Sequence, residues 1–171
     1  MTCPKFFLFI FTSALVFQNC STTKYRPETF PEYLLTFGEG GGFAGIETEH
    51  VLLENGQIFK KAGPEENYTE LEPIPSSEAK DFYDQLGVLR LHNLDIEKPG
   101  NLYYFIRCTT EELDYKITWG AADYNLRQDI MNYYKSLTSL VKDRKSLKWK
   151  EEKGIAEIKK KEKKKKKDTG W

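Results

Sequence analysis

Histidine, cysteine and methionine are scarce in this chain of 171 residues, which holds two, three and two of them. That leaves little from which to build a zinc site or a nucleophile–base pair, because both draw on His and Cys at fixed spacings. Cys3, Cys20 and Cys108 form no CxxC pair, and neither His50 nor His92 lies in a recognisable pairing motif. The HExxH, GxSxG and Gly-Lys-Ser/Thr patterns are also absent, as is an acidic loop of calcium spacing. No cofactor or metal is expected, and the enzyme reading has no residues to stand on. No apolar run is long enough to cross a bilayer, which takes about 18 residues or more; the longest, residues 6–17, has twelve. Net charge is missing too, with 26 basic against 26 acidic side chains.

That neutrality hides a segregation. Residues 20–141 carry 11 Lys and Arg against 20 Asp and Glu, whereas residues 142–171 carry 14 against 6. An acidic body is therefore followed by a basic tail, and each faces different partners.

The beginning of the chain reads as an address. Lys5 precedes the apolar run of residues 6–17, the arrangement of a signal-peptide n-region and h-region. Leu15-Val16-Phe17-Gln18-Asn19-Cys20 then resembles the lipobox of bacterial lipoproteins, in which the Cys becomes the first residue and its thiol is acylated. The resemblance implies a membrane anchor of the palmitate type on Cys20 and a place in the cell envelope, expected at the outer membrane. Asn19 departs from the Gly, Ala or Ser of the strict pattern, so an ordinary secretory signal followed by a chance Cys is the alternative. With Cys3 removed and Cys20 acylated, Cys108 stands alone in YYFIRC as a small buried hydrophobe.

The chain divides into four segments: a signal peptide over residues 1–19, a polar tether with two prolines over 20–32, a folded domain over 33–141, and a lysine-rich tail over 142–171. Within the domain, residues 33–37 and 43–53 read as strands. Asn55-Gly56 predicts a type I′ hairpin turn into a third strand at 57–61. A helix is expected from Ser76, with a serine capping its first amides and Ala79, Phe82, Leu86 and Leu89 or Val88 on its apolar face. Residues 102–109 and 113–119 form an aromatic-rich hairpin, and Leu126, Ile130, Tyr133, Leu137 and Leu140 stripe a last helix over 126–141. The fold class is α+β: an antiparallel sheet of about five strands with two helices on one face. The tail ends in KKKEKKKKKDTGW, whose like charges repel one another, and is expected to be largely disordered.

Residues 40–45, Gly40-Gly41-Gly42-Phe43-Ala44-Gly45, match the GxGxxG spacing of dinucleotide sites. That motif works only where the glycine turn opens a helix whose free amides hold the pyrophosphate. Here it leads into IETEHVLLENG, a strand, and Glu39, Glu47 and Glu49 would repel phosphate. A glycine-rich strand connection needing positive φ is the simpler reading. Glu47 and Glu49, two apart, share one face of their strand, and Asp123 in GAADYN marks a turn or cap.

GGGFAGIETEHVLLENGQIF together with LYYFIRCTTEELDYKITWG and LRQDIMNYYKSL resembles the emfourin-type small α+β proteins, known as inhibitors of thermolysin-like metalloproteases. The resemblance implies a non-catalytic, protein-binding domain with contact loops at Gly40, Gly41, Gly42 and Phe43 and at Asn55 and Gly56. The expected partners are a membrane through Cys20, a protein, and an anionic surface through the lysines between Lys159 and Lys167. Export leaves no role in nucleic-acid binding. The competing readings are a metalloprotease inhibitor and an uncharacterised envelope enzyme.

Overall fold

The computed structural model describes residues 23–63 and 67–147, which form an α+β fold. Seven strands, β1 (Leu34–Gly41), β2 (Thr48–Leu52), β3 (Ile58–Ala62), β4 (Thr69–Leu71), β5 (Glu97–Lys98), β6 (Leu102–Thr109) and β7 (Asp114–Trp119), join two helices, α1 (Ser76–Leu89) and α2 (Gln128–Val141). The strands make one sheet in the order β4-β3-β2-β1-β6-β7-β5. All pairs are antiparallel except β5 with β7. The sheet is thus mixed and two strands larger than the five expected. The additions, β4 and β5, are only three and two residues long. Such segments carry no hydrophobic period, and neighbouring backbone defines them.

β1 extends well beyond the 33–37 segment, through Gly38 and Gly40 to Gly41. The glycines are there for space. Gly38 faces Phe105 across the pair and Gly40 faces Tyr103. A Cβ on Gly38 would collide with the Thr48 carbonyl and the Phe105 ring, and one on Gly40 with the Tyr103 ring. The two rings therefore lie on bare backbone, which repairs the packing that glycine costs a strand. β2 in turn begins only at Thr48, because the residues before it make a loop rather than the strand start expected at Phe43.

Both helices cover one face of the sheet. Leu35, Phe37, Leu52, Ile58, Ile106, Cys108, Ile117 and Trp119 meet Ala79, Tyr83, Leu86 and Leu89 of α1 and Ile130, Tyr133, Tyr134 and Leu137 of α2 in one core. Tyr83 replaces Phe82 at the centre of the α1 stripe, and Val88 is exposed. No serine caps α1: its N-cap is Pro75, without a side-chain hydrogen bond. Three tyrosines tie the helices to the rest of the core. The Tyr83 hydroxyl donates to the Leu52 carbonyl at 2.6 Å and accepts from the Leu35 amide at 3.2 Å. Those of Tyr133 and Tyr134 donate to Phe82 and Gly38 carbonyls, both at 2.9 Å. Each buried hydroxyl thus replaces the water bonds it loses.

The other face has its own small core, and residues read as a tether help to build it. Tyr25 and Phe30 pack with Leu34 and Tyr68 against Val51, Leu53 and Phe59. Phe30 stands edge-on to the rings of Phe59 and Tyr68, at 4.8 and 5.4 Å. Over its described part, the 20–32 segment is therefore a strap bound to the sheet, not a free linker. The tail is also partly folded. Ser146 bridges Leu71 on the outer edge of β4, the Leu147 amide donates to the Glu70 carbonyl at 2.8 Å, and the Glu72 amide donates to that of Lys145 at 3.0 Å. Residues 148–171, including the lysines between Lys159 and Lys167, lie outside the described residues, as does Cys20.

Candidate functional site

The loop between β1 and β2 is built by glycine and ends in an unprotected aromatic. Gly41, Gly42 and Gly45 take φ of 92, 70 and 60°, values that other residues reach only with strain. The Gly42 amide donates to the Asn101 carbonyl at 2.7 Å, and the Gly45 amide closes the turn on the Gly42 carbonyl at 3.2 Å. Held this way, Phe43 is 110% exposed, and Ile46 and Leu102 are exposed at the same end of the sheet. Below the loop, Glu47 accepts from the Tyr103 hydroxyl at 2.8 Å and lies 4.0 Å from the Lys116 ammonium, which sits over the Phe105 ring at 4.2 Å. Gly45 leads into β2, and the helices begin at Ser76 and Gln128, so the GxGxxG residues open no helix.

Asn55 and Gly56 lie at the opposite end of β2, in the turn to β3. Gly56 takes φ of 90° but Asn55 does not take positive φ, so the turn is not the type I′ expected. Instead the Gly56 amide closes a turn on the Leu53 carbonyl at 2.9 Å, and the Leu53 amide donates to the Gln57 carbonyl at 2.9 Å. This is a three-residue loop with glycine at its left-handed position. Nor does it project: Gly56 is buried, its carbonyl accepts from the Ile74 amide at 3.0 Å, and the Asn55 amide group donates to the Thr23 carbonyl at 2.6 Å. Only one of the two loops expected to be contact edges is therefore free to act as one.

Gln57, which carries no motif in the sequence, organises that end. Its side-chain oxygen accepts from the Tyr25 amide and from Asn55, both at 2.7 Å, and its nitrogen donates to the Tyr25 carbonyl at 3.1 Å and to Glu70 at 3.0 Å. Glu70 is 3% exposed, with the Lys24 ammonium 4.0 Å away. A glutamine after Asn-Gly gives no signal of this; its partners are 32 and 13 residues distant.

The remaining polar groups do not converge. Glu47 and Glu49 share the strap face, Glu49 accepting from Tyr68 at 2.8 Å. Cys108 is buried and desolvation pushes its thiol up, which suits packing and opposes thiolate chemistry. His92 stands edge-on to Tyr115 at 6.1 Å, far from His50 in the fold's other half. A groove of 540 Å³ between α1 and α2 is lined by Glu78, Phe82, Lys135, Ser139 and Arg144, and one of 420 Å³ by Glu32, Tyr33, Thr110 and Glu111. In the second, the Glu111 carboxyl bonded to Glu32 holds the Glu32 carboxyl above its usual range. Among the described residues no three His, Cys, Asp or Glu side chains are grouped to hold a metal.

His50 is strongly perturbed. It stacks on Phe37 at 5.5 Å, and burial, helped by the charge of Lys60, lowers its pKa to about 4 from 6.5. The folded state thus favours the neutral ring, so its contribution is complete above pH 6.5 and is lost as pH falls toward 4. Allowing for partial exposure, on the order of 2 kcal/mol should disappear across that window. Denaturant melts at pH 7.5 and 4.5 should show His50→Gln losing less between the two than the parent; equal losses would exclude the ring as the titrating group.

Compared with known proteins, the chain matches no family model and no curated protein sequence.

Proposed function

We propose that the protein is a lipid-anchored, non-catalytic binding module of the bacterial cell envelope, held through Cys20 and making contact through the Phe43 loop. The observation that carries this reading is the polarity of the fold. Thr23, where the described chain begins, is bonded to the β2–β3 turn. Phe43 projects from the opposite end of the same strands. Three residues span at most about 10 Å, so an acyl chain on Cys20 would lie close to the strap end. β1, at about 3.3 Å per residue, sets the loop roughly 25 Å away. A module carried by its anchor at one end and offering an apolar loop at the other is arranged for contact, and the polar groups below that loop, Glu47, Tyr103 and Lys116, engage one another.

The test is of the anchor. Each buried CH₂ of an acyl chain contributes about 0.8 kcal/mol, so two or more chains hold a protein durably at a membrane. A fatty-acid probe fed to the producing bacterium should label the wild type and leave Cys20→Ser unlabelled. Equal labelling of the two would remove Cys20 as the site.

A further inference from the structure

The strap of residues 23–32 is tied to the domain at points far from it in sequence: Gln57 holds Tyr25, Asn55 holds Thr23, and Phe30 stands edge-on to Phe59 and Tyr68. Val51, Leu53 and Phe59 thus floor a groove whose occupant is the strap itself. The link from strap to β1 is short and stiff. Phe30 is seated on one face of the sheet, whereas Tyr33 already packs on the helix side, edge-on to Tyr83 at 4.6 Å. Only Pro31 and Glu32 lie between them. Phe30 takes φ of −55° and ψ of 144°, the extended backbone that a following proline imposes. Glu32 in turn is brought against Glu111, in a cleft that Glu112 also lines and no described basic side chain does. Two carboxylates so placed repel when both are charged, so the closed hinge carries a cost that straightening it removes. A short hinge of this kind, between two well-seated ends, favours exchange of the terminal element between copies. The groove contacts are the same whichever copy supplies the strap, so exchange alters only the hinge and the cost of association.

We propose that the strap groove is a self-association site, in which two copies exchange residues 23–32. Each strap seats Tyr25 and Phe30 on Gln57 and Phe59 of the other copy, and the hinge at Pro31-Glu32 opens to carry Glu32 away from Glu111. The dimer is isologous, each copy giving one strap and receiving one. The exchange needs no acyl chain on Cys20, and it stands or falls apart from the anchor.

The chain from residue 20 with Cys20→Ser contains the strap, the hinge and the whole described core, and is the material for the test. Held near its melting transition and then cooled, it should show by light scattering a dimer whose share rises with concentration toward about 1 mM, the scale of effective concentration that a short tether supplies. Glu32→Gln combined with Glu111→Gln should lower that share severalfold, and a Gly-Ser insertion between Pro31 and Glu32 should leave monomer. Phe30→Asp spoils the strap and Gln57→Leu spoils the groove that receives it, so each variant alone should stay monomeric. A mixture of the two should form a one-to-one dimer, with the intact strap of the Gln57→Leu copy in the intact groove of the Phe30→Asp copy. A parent that remains monomeric at about 1 mM would overturn the proposal. So would a dimer of Phe30→Asp alone, or a mixture no more dimeric than its components. Should Phe30→Asp fail to fold, the hinge insertion decides by itself: a dimer undiminished by it excludes the exchange.

Discussion

Valine in place of Gly56 should destabilise the protein by about 3 to 5 kcal/mol, enough to remove a large part of the stability of a domain this size. Two costs combine. At φ of 90° a β-branched residue is strained, by about 1 to 3 kcal/mol. In addition, a Cβ at Gly56 would sit inside contact distance of the Ile74 carbonyl, in the backbone leading into α1. Relieving that clash breaks the bond from the Ile74 amide to the Gly56 carbonyl and lifts the start of the helix off the hairpin. Gly63 separates the two terms, since it takes φ of 81° with no other described residue within 4 Å of its Cβ position. Gly63→Val should show the strain alone, about 1 to 3 kcal/mol. Equal losses for the two variants in denaturant melts would mean that the packing against Ile74 contributes nothing.

Gln57→Leu should cost about 2 to 4 kcal/mol and should act first on the strap. The change keeps the volume but leaves the Tyr25 amide and the Glu70 carboxylate, both served by Gln57, without that partner. Lys24 at 4.0 Å cannot replace it, because its side chain is 76% exposed and well screened. With the clip gone, Phe30 leaves Phe59, and residues 23–32 should become a site of limited proteolysis under conditions where the parent resists cleavage. Adding Glu70→Leu should recover part of the loss, because the unpaired buried carboxylate is then absent. A double variant no more stable than Gln57→Leu would place the cost elsewhere, in the strap's backbone bonds.

The hairpin of β6 and β7 and both helices were legible because their side chains carry a period. The reading of residues 102–109 matches β6, that of 113–119 misses β7 by one residue, and 126–141 contains α2. Where glycine replaced side chains, the pattern vanished and so did the strand: β1 continues through residues 38–41 because β6 pairs with it as far as Gly41 and β2 as far as Glu39. β4, β5 and the strap escaped notice for a related reason, being fixed by partners distant in sequence such as Gln57 with Tyr25. The glycine loop itself stands out in the sequence, but composition does not carry the bond from Gly42 to Asn101 that ties it to the start of β6. Asn55-Gly56 is recognisable as a turn, but its burial under the segment before α1 depends on Ile74, eighteen residues on.

The attachment of residues 145–147 to β4 has a mechanical meaning. Their hydrogen bonds lie across the strands, whereas the chain leaves along them. Tension on the tail directed away from the strap end would load the bonds from Leu147 to Glu70 and from Glu72 to Lys145 together, in shear. A pull in the reverse sense would turn the chain back and peel them one at a time. The edge of the sheet is thus a directional grip, firm against a load that stretches the molecule end to end and weak against one that folds the tail back toward the strap end.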